Sequence, residues 1–364
     1  MREEYSYEMI SRLKSLNNSL SGPVLVTGHT GFKGTWLTLL LEELGIEVVG
    51  YSLAPVADSL YLRTNRGGKI LEEFSDIRNL ERVQDFINRT KPSAVIHMAA
   101  QPLVIESYRY PRETFETNVL GTVNLLDAAF KAKSILAFIS ITTDKVYNNE
   151  NQNISFKEND ALKGRDPYSA SKVGAESAIA AWQQISKSLG GPKVVATRAG
   201  NVIGGGDWAK NRLIPDLIRG FSQGKTVQIR NPLSTRPWQH VLDPLIGYLY
   251  TLQEVLKGKE IESINFGPKE SSLTVSRVVE LVSEIWGRNL NVKFEISLES
   301  VYEASKLELD SKLATELLNW NPIWDQIDAV KTTTEWWKGL LIDKKDAHDL
   351  CLRDLNFAFE HTMS

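Results

Sequence analysis

Short apolar runs rich in β-branched residues alternate with longer amphipathic stretches through the first two hundred residues of the chain. Such runs, bounded by turn residues, are typical of strands buried on both faces of a parallel sheet. The strongest runs cover residues 23–27, 46–51, 94–98, 136–140 and 194–197. The stretches between them predict helices over 32–44, 80–90, 113–132 and 168–188. Strand and helix in repeated alternation give right-handed βαβ units, so we predict an α/β protein with a doubly wound parallel sheet.

Composition excludes several classes of partner. The chain has 364 residues, 42% hydrophobic and 24% charged, which is ordinary for a soluble globular protein. Its 42 basic and 45 acidic residues are well mixed, so we expect no nucleic acid and no membrane as a partner. No apolar run reaches the ~18 residues of a membrane span, and residues 1–20 do not resemble a signal peptide. The single cysteine, Cys351, excludes an internal disulfide and a cysteine-rich metal site, so we expect no metal and a cytoplasmic location.

A glycine-rich segment, residues 27–34, follows the first predicted strand and opens the first predicted helix. In that position backbone N–H groups and the helix dipole can receive a pyrophosphate, which predicts a dinucleotide site. The predicted cofactor contacts in the segment are Gly28, Thr30, Gly31, Phe32, Lys33 and Gly34. A glycine-rich turn without a ligand is the alternative interpretation.

The second predicted strand ends without the usual ribose ligand. Residues 49–53 offer no acidic side chain for an adenosine ribose and no arginine for a 2′-phosphate. The choice between NAD and NADP is therefore open on physical grounds. Asp76 is a candidate adenine contact, with an exposed loop aspartate as the alternative.

The pattern changes after about residue 200, where glycines 204–206 and prolines 215, 232 and 237 break the chain into shorter elements. We predict a dinucleotide-binding domain at 21–200, with return segments at about 240–268 that include an apolar run at 263–267. A smaller C-terminal substrate-binding lobe is predicted at 201–239 and about 269–350. Residues 1–20 are predicted as an N-terminal helical extension, with a short amphipathic helix at 5–16.

Tyr168 and Lys172 form a candidate proton-handling pair. Residues four apart share a helix face, so the ammonium can lie near the phenol and favour its anion. A phenol with an ordinary pKa of about 10 then becomes a base near neutral pH. An ordinary surface tyrosine is the alternative, and the pair gains weight from the glycine-rich segment upstream.

Four motifs together resemble the extended short-chain dehydrogenase/reductases that act on nucleotide sugars, over about residues 22–350. They are the glycine-rich segment, residues 97–100, residues 143–147 and the Tyr168–Lys172 pair. Longer strings at 28–36, 100–104, 198–208 and 236–244 are similar to the CDP-glucose 4,6-dehydratase branch of that family. The resemblance implies a Rossmann-like fold, NAD as cofactor, a nucleotide-diphosphate sugar such as CDP-glucose as substrate, and a homodimer. We also expect cofactor contacts from Ile77, Ala99, Ala100, Asn118, Tyr168 and Lys172.

The resemblance also implies catalytic roles. Tyr168 would take the proton of the sugar C4 hydroxyl, and Thr143 would donate a hydrogen bond to the C4 oxygen. Lys172 would lower the pKa of Tyr168 and hold the ribose of the cofactor. Asp144 would be the acid at C6. Lys145 stands where relatives acting on dTDP-glucose carry a glutamate base, so it is either the C5 base or, if charged, a stabiliser of the enolate. These residues follow the predicted strand 136–140, and ligand sites collect at the carboxyl ends of parallel strands. An exposed Asp-Lys pair in a turn is the alternative.

Substrate contacts are expected mainly after residue 200. Arginine suits bidentate phosphate contacts, and Arg236 is the first candidate for the diphosphate, followed by Arg212 and Arg219. Asn201 and Trp208 flank the glycine run, where an aromatic ring can cover a base or a sugar, although Trp208 is equally well explained as a packing residue. Gln101 is expected to contact the substrate. Relatives often carry an arginine near positions 105–106, and this chain does not.

Two further functions fit these residues. One is a 4-epimerase, or an inverting 4,6-dehydratase, acting on another nucleotide sugar. The other is a protein that senses a dinucleotide without turnover, although binding alone needs neither Asp144 nor Lys145. The predicted helices 113–132 and 168–188 carry apolar residues on more than one face, which favours a helical homodimer interface. Packing of both helices on their own sheet is the alternative.

Overall fold

A parallel sheet of seven strands forms the centre of the computed structural model, which describes residues 10–150, 154–269, 272–287, 292–295 and 307–361. The strands in chain order are β1 (Val24–Thr27), β2 (Val48–Ser52), β3 (Leu71–Phe74), β4 (Ala94–His97), β5 (Ala137–Ile141), β6 (Ser155–Phe156), β7 (Lys193–Ala199), β8 (Asn201–Ile203), β9 (Val227–Arg230), β10 (Thr235–Arg236), β11 (Trp238–His240), β12 (Ser263–Phe266), β13 (Leu273–Thr274), β14 (Val292–Glu295) and β15 (Glu308–Leu309). The central sheet has the order β12-β7-β5-β4-β1-β2-β3, and every neighbouring pair in it is parallel.

The five predicted strands are confirmed, each to within two residues at either end. Every residue of β1, β4 and β5 is buried, because helices cover both faces of the sheet and no polar side is needed. The prediction missed β3, whose sequence is Leu-Glu-Glu-Phe and whose end residues are exposed. It is the edge strand of the sheet, and edge strands commonly carry charged side chains.

Helices lie on both faces of the sheet, as the doubly wound prediction requires. Their bounds are α1 (Phe32–Glu43), α2 (Leu60–Arg63), α3 (Leu80–Thr90), α4 (Val104–Arg109), α5 (Pro111–Phe115), α6 (Gly121–Lys131), α7 (Pro167–Leu189), α8 (Leu213–Ser222), α9 (Leu242–Leu256), α10 (Val275–Trp286), α11 (Lys312–Leu318), α12 (Gln326–Leu341) and α13 (Ala347–His361). One hydrophobic core joins the sheet to α3, α6 and α7. A second, larger core joins the opposite face to α1 and α9 and continues into the C-terminal helices.

The predicted helix 113–132 is interrupted by a π-helical turn. Glu116–Leu120 is π-helical and lies between α5 and α6, so the three segments follow one another without a loop. Such turns are rare and occur frequently at functional sites. This one contains Asn118, a predicted cofactor contact.

The remaining strands form four two-stranded sheets, β8-β11, β9-β14, β10-β13 and β6-β15. The apolar run at 263–267 does return to the central sheet, because β12 pairs in parallel with β7. Residues 10–15 are helical, and Leu13 and Leu16 are fully buried in the larger core. Residues 5–9 of the predicted N-terminal helix lie outside the described residues. Among the described helices, none has both the length and the apolar character to cross a membrane.

Candidate active site

The glycine loop, residues 27–34, connects β1 to α1 and turns very tightly. Gly28 has a φ of +72°, and a Cβ added there would lie 2.9 Å from the Cα of Ala99. A Cβ added at Gly34 would lie 2.1 Å from the carbonyl oxygen of Gly28. Side chains at either position would collide with backbone, so both glycines are needed for β1 to pass directly into α1.

The N-terminus of α1 leaves donors for an anion. Its N-cap residue is Gly31, which has no side chain that could accept from the N–H groups of the first turn. Those N–H groups and the helix dipole lie at the carboxyl end of β1, in the position that receives a pyrophosphate in dinucleotide-binding folds. The loop therefore fits a dinucleotide, with close backbone approach at Gly28 and donors from Phe32, Lys33 and Gly34.

Hydroxyl groups hold the glycine loop to the strands on either side. Thr27 Oγ1 lies 2.8 Å from His97 Nδ1 and accepts from the backbone N–H of Ala99 at 3.2 Å. Burial lowers the pKa of His97 to about 3, so its ring stays neutral. On the other side, Thr30 Oγ1 lies 2.8 Å from Ser52 Oγ at the end of β2. Thr30 thus orients the loop with its side chain.

Asp76 and Ile77 follow β3 and differ in exposure. The Asp76 carboxylate accepts from the backbone N–H of Arg78 at 2.9 Å and from its guanidinium at 2.7 Å. The bonds to Arg78 lower the pKa of Asp76. Ile77 is 4% exposed and packs against Gly121, where an added Cβ would lie 2.5 Å from Ile77 Cδ1. Asp76 therefore remains at the surface, whereas the Ile77 side chain belongs to the core.

Asn118 ties the segment after β4 to helix α7. Its Oδ1 accepts from the backbone N–H of Gln101 at 2.8 Å, and its Nδ2 donates to Ser171 Oγ at 2.9 Å. The Gln101 side chain donates to a threonine hydroxyl of α5 at 3.0 Å. Both amides are thus engaged within the protein and hold the strand-end segment with Ala99 and Ala100 in place.

Tyr168 and Lys172 lie on the first turns of α7, facing the cleft. We call "the cleft" the space between the glycine loop, the end of β5 and this part of α7. The helix starts with Asp166, whose carboxylate accepts from the backbone N–H of Ser169 in a capping box. Tyr168 is 8% exposed and Lys172 is 7% exposed. The Lys172 ammonium donates to the carbonyl oxygen of Ile141, at the end of β5, at 3.1 Å.

The protein by itself does not lower the pKa of the phenol as predicted. Burial raises the pKa of Tyr168 to about 12, although a hydrogen bond with Thr143 and the charge of Arg212 act in the opposite direction. Burial also lowers the pKa of Lys172 to about 8, opposed by the charge of Glu176 one turn later. Desolvation outweighs the local charges at both groups, so an ionised Tyr168 needs further positive charge in the cleft.

Thr143, Asp144 and Lys145 form a short turn directly after β5. Thr143 Oγ1 donates to Asp144 Oδ1 at 2.9 Å, and Lys145 Nζ lies 3.7 Å from the same oxygen. The Asp144 side chain is 1% exposed and that of Lys145 is 27% exposed. Thr143 and Asp144 both influence the pKa of Tyr168, so the structure brings the predicted acid and base to the proton-handling pair.

One carboxylate oxygen of Asp144 is buried without a hydrogen-bond partner among the described residues. This oxygen, Oδ2, lies against Gly200, where an added Cβ would come within 3.2 Å of it and within 2.8 Å of Pro237. Gly200 therefore leaves the room that the oxygen needs. The next residue, Asn201, begins β8 and pairs with Trp238 of β11. Asn201 is thus placed one residue from the Asp144 contact.

A groove, which we call the basic groove, opens beside Lys145. Four of its lining residues are cationic, namely Lys145, Lys163, Arg165 and Arg236. Arg236 is 7% exposed and donates to the carbonyl oxygen of Thr235 at 2.8 Å. Sequence reasoning identified Arg236 but not Lys163 or Arg165, because a basic residue in a loop carries no local signal of what it faces.

Arg212 and Arg219 occupy different places. Arg212 pairs with Asp207 at 2.8 Å, and its charge acts on Tyr168, so it lies at the cleft. Arg219 donates to the carbonyl oxygen of Trp208 at 3.1 Å and pairs with Asp216. The structure thus brings Arg212 to the predicted catalytic groups, whereas the bonds of Arg219 go to its own loop and helix.

Trp208 packs between two other side chains. Its ring centroid lies 4.7 Å from that of Trp337 on α12, and the Arg219 guanidinium lies 4.6 Å from its centroid. The side chain is partly buried. These contacts agree with the interpretation of Trp208 as a packing residue, although its side chain is still partly exposed.

A buried ion pair joins α7 to β7, and the sequence did not predict it. Glu176 and Arg198 are joined by two hydrogen bonds, Nε to Oε1 and Nη2 to Oε2, each 2.9 Å long. Their side chains are 6% and 5% exposed. Thr142 Oγ1, next to Thr143, donates to Glu176 Oε1 at 2.6 Å. The sequence shows that Glu176 lies one helical turn after Lys172, but it does not show that Glu176 pairs with Arg198 on β7.

Comparison with known proteins agrees with this geometry. The family model described as the NAD dependent epimerase/dehydratase family matches residues 24–267. The chain is 42% identical over 325 residues to CDP-glucose 4,6-dehydratase of Salmonella typhimurium, covering 87% of this chain and 90% of that protein. It is 27% identical over 348 residues to dTDP-glucose 4,6-dehydratase 1 of Escherichia coli, covering 86% and 92%.

Solved structures show the same fold. UDP-glucose 4-epimerase of Thermotoga maritima, crystallised with UDP-glucose, superposes with a TM-score of 0.78 at 23% identity, covering 88% of this chain and 99% of that chain. The dTDP-glucose 4,6-dehydratase DesIV of Streptomyces venezuelae has a TM-score of 0.76 at 22% identity, covering 89% and 100%. With its glycine loop, its strand-end turn and its tyrosine–lysine helix, the chain belongs to the NAD dependent epimerase/dehydratase family.

Proposed function

We propose that the protein is a NAD-dependent CDP-glucose 4,6-dehydratase, which converts CDP-glucose into CDP-4-keto-6-deoxyglucose and water. The observation that carries this proposal is the turn of Thr143, Asp144 and Lys145 after β5, in which the buried Asp144 carboxylate accepts from Thr143 and lies 3.7 Å from Lys145 Nζ. Oxidation and epimerisation at C4 need only the tyrosine and the lysine of α7. A buried acid beside a second lysine supports an elimination, and the relative that shares 42% of its residues is named for that reaction.

The first stage oxidises the C4 alcohol. Tyr168 accepts the proton of the C4 hydroxyl, and the Thr143 hydroxyl turns from Asp144 to donate a hydrogen bond to the C4 oxygen. Lys172, held by the carbonyl oxygen of Ile141, keeps positive charge near the phenolate. The glycine loop and Lys172 would hold NAD, which would supply the hydride acceptor for C4, the hydride donor for C6 and a positive charge in the cleft.

The second stage eliminates water across C5 and C6. The C5 proton is acidic once C4 is a ketone, and Lys145 is positioned to remove it or to stabilise the enolate that forms. Asp144 in its protonated form then donates a proton to the C6 hydroxyl, the C6–O bond breaks and water leaves. The hydride that C6 gains is balanced by the return of a proton to C5. Burial of Asp144 at 1% exposure keeps bulk water away from this proton transfer.

Substrate specificity is the direct test of the proposal. The protein is incubated with CDP-, UDP-, dTDP- and GDP-glucose, and the product is followed by the absorbance of 4-keto sugars in alkali. We expect absorbance to develop with CDP-glucose and to be weak or absent with the others. Absorbance with another nucleotide sugar reassigns the substrate. Formation of a 4-epimer without absorbance supports the epimerase alternative, and binding of NAD without turnover supports a sensor.

We infer that the basic groove holds the nucleotide diphosphate, with Arg236 as its main ligand. Arg236→Ala should raise the KM for CDP-glucose by about 10–150-fold, because a charge-assisted hydrogen bond contributes about 1.5–3 kcal/mol. Steady-state kinetics measure the change. Arg109→Ala is the matched control, since Arg109 is 64% exposed and pairs only with Glu106 among the described residues. A KM within about 3-fold of the wild-type value for Arg236→Ala contradicts the assignment.

We also infer that the protein forms a homodimer. We expect it in the cytoplasm, where nucleotide sugars and NAD are both present. Of the apolar residues on the first predicted interface helix, Phe115 is 42% and Leu120 is 48% exposed, whereas Leu125 and Leu126 are buried in their own core. Ala180 and Ala181 are exposed on the neighbouring helix α7. The interface is therefore narrower than predicted and centres on the exposed residues of these two helices.

Leu120→Glu should convert the dimer into a monomer at micromolar concentration, because a charge would be buried in an apolar interface. Sedimentation velocity measures the change. Leu136→Glu is the control, since Leu136 is 46% exposed and lies just before β5, outside both helices. A wild-type protein that sediments as a monomer excludes the stable dimer.

A further inference from the structure

One buried ion pair holds both ends of the turn at residues 143–146, which carries the proposed acid and base. Before the turn, Thr142 Oγ1 donates to Glu176 Oε1 at 2.6 Å. After the turn, the Tyr147 hydroxyl accepts from Arg198 Nη1 at 2.8 Å. Two hydrogen bonds of 2.9 Å join Arg198 to Glu176. An unbroken chain of hydrogen bonds therefore connects the two ends of the turn.

The Tyr147 side chain is fixed by packing and by two strands of the central sheet. It is 2% exposed, and its ring stacks on that of Phe156 with the centroids 5.0 Å apart. Its hydroxyl donates to Asn265 Oδ1 on β12 at 2.7 Å, besides accepting from Arg198 on β7. Burial raises the pKa of Tyr147 to about 12, so the phenol stays neutral and can make both bonds. The end of the turn is thus tied to β7 and β12.

The four residues that make this chain of hydrogen bonds are buried, and we call Thr142, Glu176, Arg198 and Tyr147 the clamp. Each is at most 6% exposed, so water does not compete for their hydrogen bonds. Buried polar networks whose members are all bonded make the local structure rigid. The turn therefore has one arrangement relative to the sheet and to α7, and the proposed acid and base lie between its two anchored ends.

We propose that the clamp positions Lys145 and Asp144 for the elimination of water, so that Thr142 and Tyr147 are positioning residues of that step. This inference rests on the proposed function for the identity of the step. An acid and a base must lie within hydrogen-bond reach of the atoms between which they move protons. A misplacement of about 1 Å can reduce the rate by about 10²-fold. The clamp limits such a displacement because it holds the backbone on both sides of the two residues.

Loss of the clamp should affect the two stages of the reaction unequally. Tyr168 and Lys172, which serve the oxidation at C4, lie on α7 and not in the turn. Asp144 and Lys145, which serve the elimination, lie in the turn itself. A loosened turn should therefore slow the elimination more than the oxidation, and the protein should pause with the sugar as a 4-ketone and the cofactor reduced.

Two variants each release one end of the turn. Thr142→Val and Tyr147→Phe remove a hydroxyl and keep nearly the same side-chain shape. Both leave the charges of Glu176 and Arg198 in place, so no effect through the charge beside Lys172 is expected. We expect kcat to fall by about 10–100-fold, whereas the KM for CDP-glucose should change little. The absorbance of bound reduced nicotinamide should rise during turnover in both variants.

Thr142→Ser is the conservative variant, because it keeps the hydroxyl that donates to Glu176. It should keep a kcat close to that of the wild type and should not accumulate reduced cofactor. A Thr142→Ser protein as impaired as Thr142→Val assigns the effect to packing and overturns the role of the Thr142 hydroxyl.

Tyr250→Phe is the control for the loss of a buried phenol hydroxyl. Tyr250 is 3% exposed, and the Arg12 guanidinium near the N-terminus lies 3.8 Å from the centroid of its ring. This variant should leave both kcat and the absorbance of the reduced cofactor unchanged.

Amide hydrogen exchange followed by mass spectrometry tests the clamp without the reaction. Inside the turn, the backbone N–H groups of Val146 and Tyr147 donate to the carbonyl oxygens of Thr143 and Asp144, at 3.4 and 3.3 Å. Tyr147→Phe should make exchange of these amides at least about 10-fold faster in the cofactor-free protein, because the turn opens more often. Tyr250→Phe should leave this exchange unchanged.

Unchanged exchange within the turn of Tyr147→Phe overturns the proposal, and so does a Tyr147→Phe protein that turns over more slowly without accumulating reduced cofactor. A wild-type protein that does not dehydrate CDP-glucose refutes the proposed function, and the exchange measurement then decides on the clamp by itself.

Discussion

Lys145→Met is expected to abolish incorporation of solvent deuterium at C5 of the sugar and to reduce dehydration by about 10²–10⁴-fold, the usual contribution of a positioned base. The physical reason is the position of the side chain, 3.7 Å from the buried acid Asp144 and on the wall of the basic groove. Methionine has a similar length but neither a proton-accepting nitrogen nor a charge. Mass spectrometry of the product formed in deuterium oxide measures the exchange.

Lys145→Arg separates the two roles that are open for this lysine. An arginine stays protonated, so it cannot remove the C5 proton but can still stabilise an enolate by charge. Loss of exchange in both variants identifies Lys145 as the base, whereas retention in Lys145→Arg alone identifies it as the enolate stabiliser. Unchanged exchange in Lys145→Met removes Lys145 from the step.

A second cation of the same groove provides the control. Lys163→Met removes a positive charge from the basic groove and keeps the backbone hydrogen bond of residue 163 to Val146, next to Lys145. It should leave the extent of C5 exchange per turnover unchanged. NAD affinity should stay within about 2-fold of wild type for every variant of Lys145, because the glycine loop and not this lysine fits the cofactor.

Glu176→Gln is expected to destabilise the fold by about 3–5 kcal/mol, because it leaves the Arg198 guanidinium buried without a counter-charge. Both side chains are at most 6% exposed, so solvent cannot replace the missing carboxylate. Urea unfolding followed by circular dichroism measures the change. The same variant also removes the charge that opposes the lowered pKa of Lys172, so that pKa should fall further and catalysis should weaken even where the protein is folded.

The double variant Glu176→Met, Arg198→Met provides the comparison. Replacing both partners of a buried ion pair by apolar side chains is often neutral or stabilising. We therefore expect the double variant to regain most of the stability that Glu176→Gln loses, while its catalytic defect persists. A Glu176→Gln protein within about 1 kcal/mol of wild type contradicts the structural role of the pair.

The strands and helices that position the site were predictable because their signals are local. Buried parallel strands such as β1 and β5 are continuous apolar runs, and the glycine loop is bounded by a strand and a helix within about ten residues. The edge strand β3 was missed because an exposed strand needs no apolar run. The π-helical turn at Glu116–Leu120 was missed because nothing in five consecutive residues distinguishes it from α-helix.

Side-chain roles were less predictable than their positions. Gln101 and Asn118 were expected to contact ligands, and in the structure their amides bond within the protein. Arg212 and Arg219 are seven positions apart and equally basic, yet only Arg212 acts on Tyr168. Each outcome depends on which neighbour a side chain meets after folding, and that information is spread over the chain.

The sequence by itself determined the doubly wound sheet, the dinucleotide loop at residues 27–34 and the presence of Tyr168, Lys172, Asp144 and Lys145, because each is carried by periodicity or by a short motif. Only the tertiary structure decided that Lys172 reaches the carbonyl oxygen of Ile141 at the end of β5, and that Glu176 pairs with Arg198. The same structure showed that burial outweighs Thr143 and the charge of Arg212 in setting the pKa of Tyr168. Burial and charge act through space, and groups distant in sequence acquire their distances only when the chain packs.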